Sequence, residues 1–269
     1  MDWLSRRAFA ALVGGGSLAC LSGPRTCAAQ GHDGAGPARV IDGATFIIGE
    51  AEYRVADVAA PSLDRFGTAE PFAAEARDLT AAWFAKGFDE LRRVGAPDRW
   101  GRRAVAPQRF GRDADDKTDN ADKAGQSLQA YLVENGAARV RPQSAEYDRI
   151  LALLASEAIA REQGRGLWAY KDYRPFDASD ARGAIGDFHL VRGRVLNVAV
   201  TRTRTYLNFA EDYKTDFTIT ASARLQRRWA REGFALRPLE GAEIMVRGFA
   251  EWINGPSIEL THPLQIQPL

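Results

Sequence analysis

The side chains able to do chemistry in this chain are few, and several groups can be set aside on spacing alone. Three histidines, His32, His189 and His262, stand far apart with no paired spacing, which argues against a histidine-held metal. Both cysteines, Cys20 and Cys27, fall within the first 29 residues, so a chain cut after that segment has no thiol for a disulfide, a metal or a nucleophile. An acidic run, Asp113, Asp115, Asp116, Asp119 and Asp122, invites comparison with a calcium loop. It has Thr118 where a helix-loop-helix calcium loop needs glycine and Ala124 where it needs its last glutamate, so a solvated surface loop is expected. Gly14-Gly15-Gly16 lies in the N-terminal segment and has no phosphate-loop context. What remains is carboxylates and guanidinium groups.

Those groups belong to a balanced chain. With 45% hydrophobic and 26% charged residues, the 269 residues have ordinary globular composition and suit two compact domains. Ser5-Arg6-Arg7-Ala8-Phe9 precedes an uncharged run to Leu21 and small residues around Ala28-Ala29, which reads as a twin-arginine export signal over residues 1–29. The run is shorter than the roughly 20 apolar residues that span a bilayer, so no stable membrane insertion is expected, and the mature protein is expected to be periplasmic or secreted. A lipoprotein acylated at Cys20 is the weaker alternative, because Ser17 stands where such a site usually has leucine. Loss of residues 1–29 removes Arg6, Arg7, Arg25 and Asp2 and turns 36 basic and 35 acidic residues into 33 and 34. Global charge therefore does not drive nucleic-acid binding, although a local basic patch still can.

The elements that would position the chemistry can be read from residue patterns. Arg39-Val40-Ile41, Thr45 to Ile48 and Tyr53 to Ala56 alternate with Asp42-Gly43 and Gly49-Glu50, which predicts an antiparallel meander. Pro71 to Lys86 predicts a helix with Phe72, Ala76, Leu79 and Trp83 inward, closed by Gly87. A strand at Glu90 to Val94, a polar stretch from Pro107 to Gly125, a short helix from Ser127 and a helix from Tyr147 to Gln163 follow. Residues 171–184 have the composition of a linker. Beyond it come strands Phe188 to Val198, Thr205 to Phe209 and Asp216 to Thr220, a helix Ala223 to Arg231, and strands Ile244 to Trp252 and Ser257 to Gln265, the order of a small OB-like β-barrel.

Val40-Ile41-Asp42-Gly43-Ala44-Thr45, Arg54 through Ala59-Ala60-Pro61, Asp98-Arg99-Trp100-Gly101-Arg102, Gly136-Ala137-Ala138-Arg139-Val140, and Glu157, Ala160-Arg161 and Gly166-Leu167-Trp168 occur in an order that resembles the thermonuclease, or staphylococcal-nuclease-like, family. The resemblance spans residues 38–170. It implies an α+β, mainly β fold: an OB-type β-barrel with three helices, followed here by the second OB-like barrel at 185–269.

The resemblance also implies a chemistry: calcium held by two aspartates, a glutamate that activates water, and two arginines on the scissile phosphate. The arginine positions are Arg54 and Arg102, which the family pattern makes phosphate-binding. The two metal positions are Ala44 and Ala59, neither of which can ligate a cation, and the general-base position is Ser62, a poor base without a neighbour to take its proton. The expectation is a degenerate catalytic site with no calcium cofactor that still binds phosphate or nucleic acid. The alternatives are an active metal-dependent phosphodiesterase in which Asp42, Asp57 or Asp64 replaces a lost carboxylate, and a non-catalytic envelope scaffold. In the second barrel, Tyr206, Phe209, Phe217 and Trp252 could meet a ligand, although aromatics at alternating strand positions are more often core.

Overall fold

A computed structural model describes residues 37–95, 101–110, 126–212 and 216–269. The expected export signal with both cysteines, His32, Asp98-Arg99-Trp100, the acidic run and Lys214 lie outside the described residues. Among those described, no helix is long and apolar enough to cross a membrane.

The meander forms as expected: β1 (Arg39–Asp42), β2 (Thr45–Ile48) and β3 (Ala51–Val55) pair antiparallel in sequence order. β4 (Val58–Ala59) follows, then helix α1 (Ala73–Ala85). The helix starts two residues later than Pro71 because Phe72 takes a left-handed conformation, φ 66°, at the N-cap. Ala76, Trp83 and Phe84 are buried, and Thr80 Oγ1 donates to Gly43 O at 2.9 Å, which fastens the helix to the β1–β2 turn.

β5 (Glu90–Arg93) pairs antiparallel with β6 (Arg103–Arg109), a strand within the stretch where the sequence marked no strand. Proline lacks a donor and normally argues against a central strand, yet Pro107 sits between the two segments of β6 that pair with β3 and with β7 (Gln126–Ser127). The sheet order is β1-β2-β3-β6-β5, with β3 and β6 parallel.

Helix α2 (Leu128–Glu134) is capped by Ser127, whose side chain accepts from Ala130 N at 3.1 Å. β8 (Arg139–Val140) pairs with β4, and helix α3 (Tyr147–Glu162) follows. The turns after α2 and α3 meet back to back at Gly136 and Gly166, both at positive φ. A Cβ on Gly136 would lie 2.1 Å from Arg165 O, and one on Gly166 2.4 Å from Gly136 O.

Residues 171–184, expected as a linker, carry structure of their own. Short 3-10 turns flank β9 (Phe176–Asp177), which pairs parallel with the next strand, and Tyr173, Ala181 and Ala184 are buried. Small alanines and one tyrosine suffice to seat the segment despite its low apolar content.

The C-terminal sheet contains β10 (Phe188–Arg194), β11 (Asn197–Val200), β12 (Arg204–Asn208), β13 (Thr218–Ser222), helix α4 (Ala223–Arg231), β14 (Glu243–Trp252), β15 (Pro256–Glu259) and β16 (Ile266–Pro268). Its hydrogen-bonded order is the open path β11-β12-β13-β15-β14-β10-β9, with β13 and β15 parallel. The expected first strand is broken at Val195-Leu196, and its two pieces sit towards opposite ends of that path, β10 against β14 and β11 against β12. Four strands precede the helix and three follow it, and the path is open, so the expected second barrel is a sheet-rich region with only a loose likeness to an OB-like module.

The last expected strand, Ser257 to Gln265, is also split. His262 accepts from Leu264 N at 3.1 Å while Gln265 Oε1 accepts from His262 N at 2.8 Å, a reciprocal cap that forces a 3-10 turn before β16 returns to β14.

Candidate functional site

The structure brings Arg54 and Arg102 into one cavity of about 590 Å³. Arg54 is on β3, flanked by Thr45 of β2 and Ala104 of β6, so three strands fix its backbone. Arg102 immediately precedes β6, and its Nη1 lies 3.9 Å from Glu52 Oε1. Arg93 at the end of β5 and Arg141 just after β8 complete a lining with four guanidinium groups.

Neither Arg93 nor Arg141 was singled out from sequence. Arg139-Val140-Arg141 carries no signal of this, because alternation puts residues two apart on the same face of a strand, whereas Arg141 lies just past the end of β8 and takes a different side from Arg139. Arg139 faces inward, 2% exposed, and its guanidinium donates to Phe188 O and lies over the Tyr173 ring at 4.9 Å. Arg141 lines the cavity. Burial, and then the nearby charge of Arg54, lowers the Arg141 pKa below its ordinary value, so an anion that joins the two relieves a repulsion already present.

The carboxylate in the lining, Glu146, is already engaged. Arg92 grips both its oxygens, Nη2 to Oε2 at 2.7 Å, and Arg149 Nε lies 3.2 Å from Oε2. The hydrogen bond from Arg92 holds this carboxyl below the usual range. The cavity therefore keeps a cationic excess and takes an anion with guanidinium forks.

The other three family positions do not reach this cavity. Ala44, 3% exposed, packs in the apolar core with Phe46, Ile48 and Val55. Ala59 is 9% exposed and pairs with Arg139. A Cβ on Gly43 would lie 2.7 Å from the Ala60 methyl, so the two turns that would carry the metal ligands meet through hydrocarbon. Ser62 sits in a separate turn, where its N donates to Glu70 Oε2 at 2.5 Å and its Oγ accepts from Asp64 N at 3.3 Å.

The substitute carboxylates are committed to backbone amides. Asp42 Oδ1 accepts from Ala44 N at 2.7 Å, and Asp64 Oδ1 accepts from Gly67 N at 2.9 Å. Asp57, 1% exposed at φ 59°, accepts from Gln143 N and Ser144 N, both at 2.8 Å. It is a buried brace for the loop that carries Arg141. Among the described residues, no three His, Cys, Asp or Glu side chains converge on a point where a metal could sit. These residues do not fit a calcium site.

His189 and His262 are structural. His262 Nε2 donates to Ser144 O at 2.9 Å while Nδ1 accepts from Leu264 N, which fixes the tautomer. His189 is buried beside Phe176, 3.6 Å from Asp187. Glu157, met in the sequence as part of a family motif, forms a buried pair with Arg247 at 2.7 Å and accepts from Val140 N at 2.6 Å.

No curated protein matches the chain. Residues 52–170 match the family model described as staphylococcal nuclease homologue, a span that opens in β3, beyond Ala44, and includes both Arg54 and Arg102. With the β3–β6 sheet, the three helices and the arginine cavity in that span, residues 52–170 are a staphylococcal nuclease homologue domain.

Proposed function

We propose that this chain binds the phosphates of nucleic acid in the Arg54–Arg102 cavity and does not hydrolyse them by the calcium-dependent route of its domain family. The observation that carries the reading is the division of the family's chemical positions. The two arginines share a cavity and gain Arg93 and Arg141, while Ala44, Ala59 and Ser62 lie outside its lining. Phosphate needs only fixed guanidinium donors and a cationic field, both of which the cavity supplies. Hydrolysis needs in addition an oriented, deprotonated water, and neither Ser62 nor the braced aspartates supplies a base for it.

Binding is tested with a short labelled oligothymidylate in chelator. Arg54→Ala and Arg102→Ala should each weaken it by about tenfold, and added salt should weaken the wild type steeply. Equal affinity in wild type and both variants would defeat the proposal.

The same reading places the protein outside the cytoplasm, on the strength of Arg6-Arg7 ahead of a short uncharged run. With both residues changed to lysine the precursor should stay in the cytoplasm, and undiminished export would remove that part of the proposal.

A further inference from the structure

The arginine cavity has neighbours beyond the nuclease-like domain. Arg141 and Gln143 also line a second, smaller cavity of about 190 Å³, whose other walls include Phe249, Ile253 and Ser257 of the C-terminal sheet. Ile253 and Ser257 in turn line a third cavity of about 500 Å³, formed with Tyr206 and Asn208 of β12 and Thr218 and Thr220 of β13. Shared lining residues make the three cavities successive neighbours across both halves of the chain.

The chemistry changes along this track of neighbouring cavities. It begins with four guanidinium groups and passes the Arg141 guanidinium, stacked 4.9 Å from the Phe249 ring centre. It ends among a phenol, amides, hydroxyls and one further guanidinium, Arg204. Phe249 is 47% exposed and Ile253 is 56% exposed, so apolar surface faces water along the middle. Two carboxylates also line this part. Glu259 is paired with Arg204 at 3.1 Å, and Glu251 is the other.

Resting on the phosphate reading above, we infer that this track holds one continuous single strand of nucleic acid, with phosphates at the arginine end and unpaired bases on Phe249 and Tyr206. A duplex hides its base faces, so the exposed Phe249 ring beside a phosphate site selects a single strand. Hydroxyls and amides at the far end can meet base edges or sugars without demanding one sequence.

The test is fluorescence anisotropy with the whole chain in chelator and labelled oligothymidylates of about 4 and about 16 nucleotides, lengths that bracket one OB-type site. The longer probe should bind at least about tenfold tighter. Phe249→Ala should weaken the longer probe by roughly 5- to 100-fold, the loss of one stacked base, and leave the short one within about twofold. Ile253→Glu, a change at an exposed position that folding tolerates, should do the same by placing a negative charge in the path of the strand. A longer probe that ignores both changes overturns the track. If the short probe still responds to Arg54→Ala in that case, the cavity reading survives alone; if it does not, both fall. Binding of maltohexaose, instead of the longer probe, at the Tyr206 end would also overturn the inference.

Discussion

At position 44 a methyl group packs among Phe46, Ile48 and Val55, where a hard cation would require an anionic oxygen. Asp57 and Glu157 are likewise engaged in structure: the Asp57 carboxylate holds two backbone amides, and Glu157 pairs with Arg247. The buried histidines carry a measurable consequence. Burial, and then the neighbouring charge of Arg139, lowers the His189 pKa from 6.5 to about 4, and burial lowers that of His262 as well. The unfolded chain therefore takes up these protons first. Their contribution is intact above about pH 6.5 and is lost as pH falls towards 4. Chemical denaturation at pH 7.5 and pH 5 should show a loss of about 1–3 kcal/mol in the wild type and a smaller loss in the double variant His189→Gln, His262→Gln. Equal losses would show that other groups govern the acid limb.

The elements show why part of the site was legible in sequence and part was not. β1 to β3 and helices α2 to α4 announce themselves by alternation, caps and closing glycines, and they appear within a few residues of expectation. Arg54 and Arg102 were legible because flanking turn motifs fix their place on such elements. β6 was missed because Pro107 reads as a break, whereas the pairing of its neighbours changes partner at that residue. Arg141 was missed for a tertiary reason. Its place in the cavity depends on the brace from Asp57, a residue more than 80 positions earlier whose buried carboxylate gives no local signal. The strand break at His262-Pro263 was missed likewise, because histidine is an unusual cap and its other ring nitrogen is held by Ser144.

At the scale of the molecule, the two halves share polar contacts, one of them fully buried. Arg247 from β14 reaches Glu157 at 2.7 Å and Val140 O at 3.0 Å, with both charged side chains 1% exposed. Tyr147 donates to Glu232 at 2.8 Å, and Arg65 pairs with Asp187. Leu190 and Met245 pack with Ala160, Leu167 and Trp168 across the junction. Removing one partner of such a buried pair strands a charge, so these contacts fix the halves in one arrangement and keep the Arg141–Phe249 junction in place. We propose that in this arrangement the chain keeps phosphate recognition without the family's hydrolysis. The most direct measurement incubates the chain, beginning after residue 29, with single-stranded DNA and RNA in calcium and in chelator. The control carries Ala44→Asp, Ala59→Asp and Ser62→Glu together, because groups that act as a unit are not additive. The unaltered protein should show no cleavage above background in either condition, with binding retained in both. Robust calcium-dependent cleavage by that protein, abolished by Arg54→Ala or Arg102→Ala, would contradict the proposal.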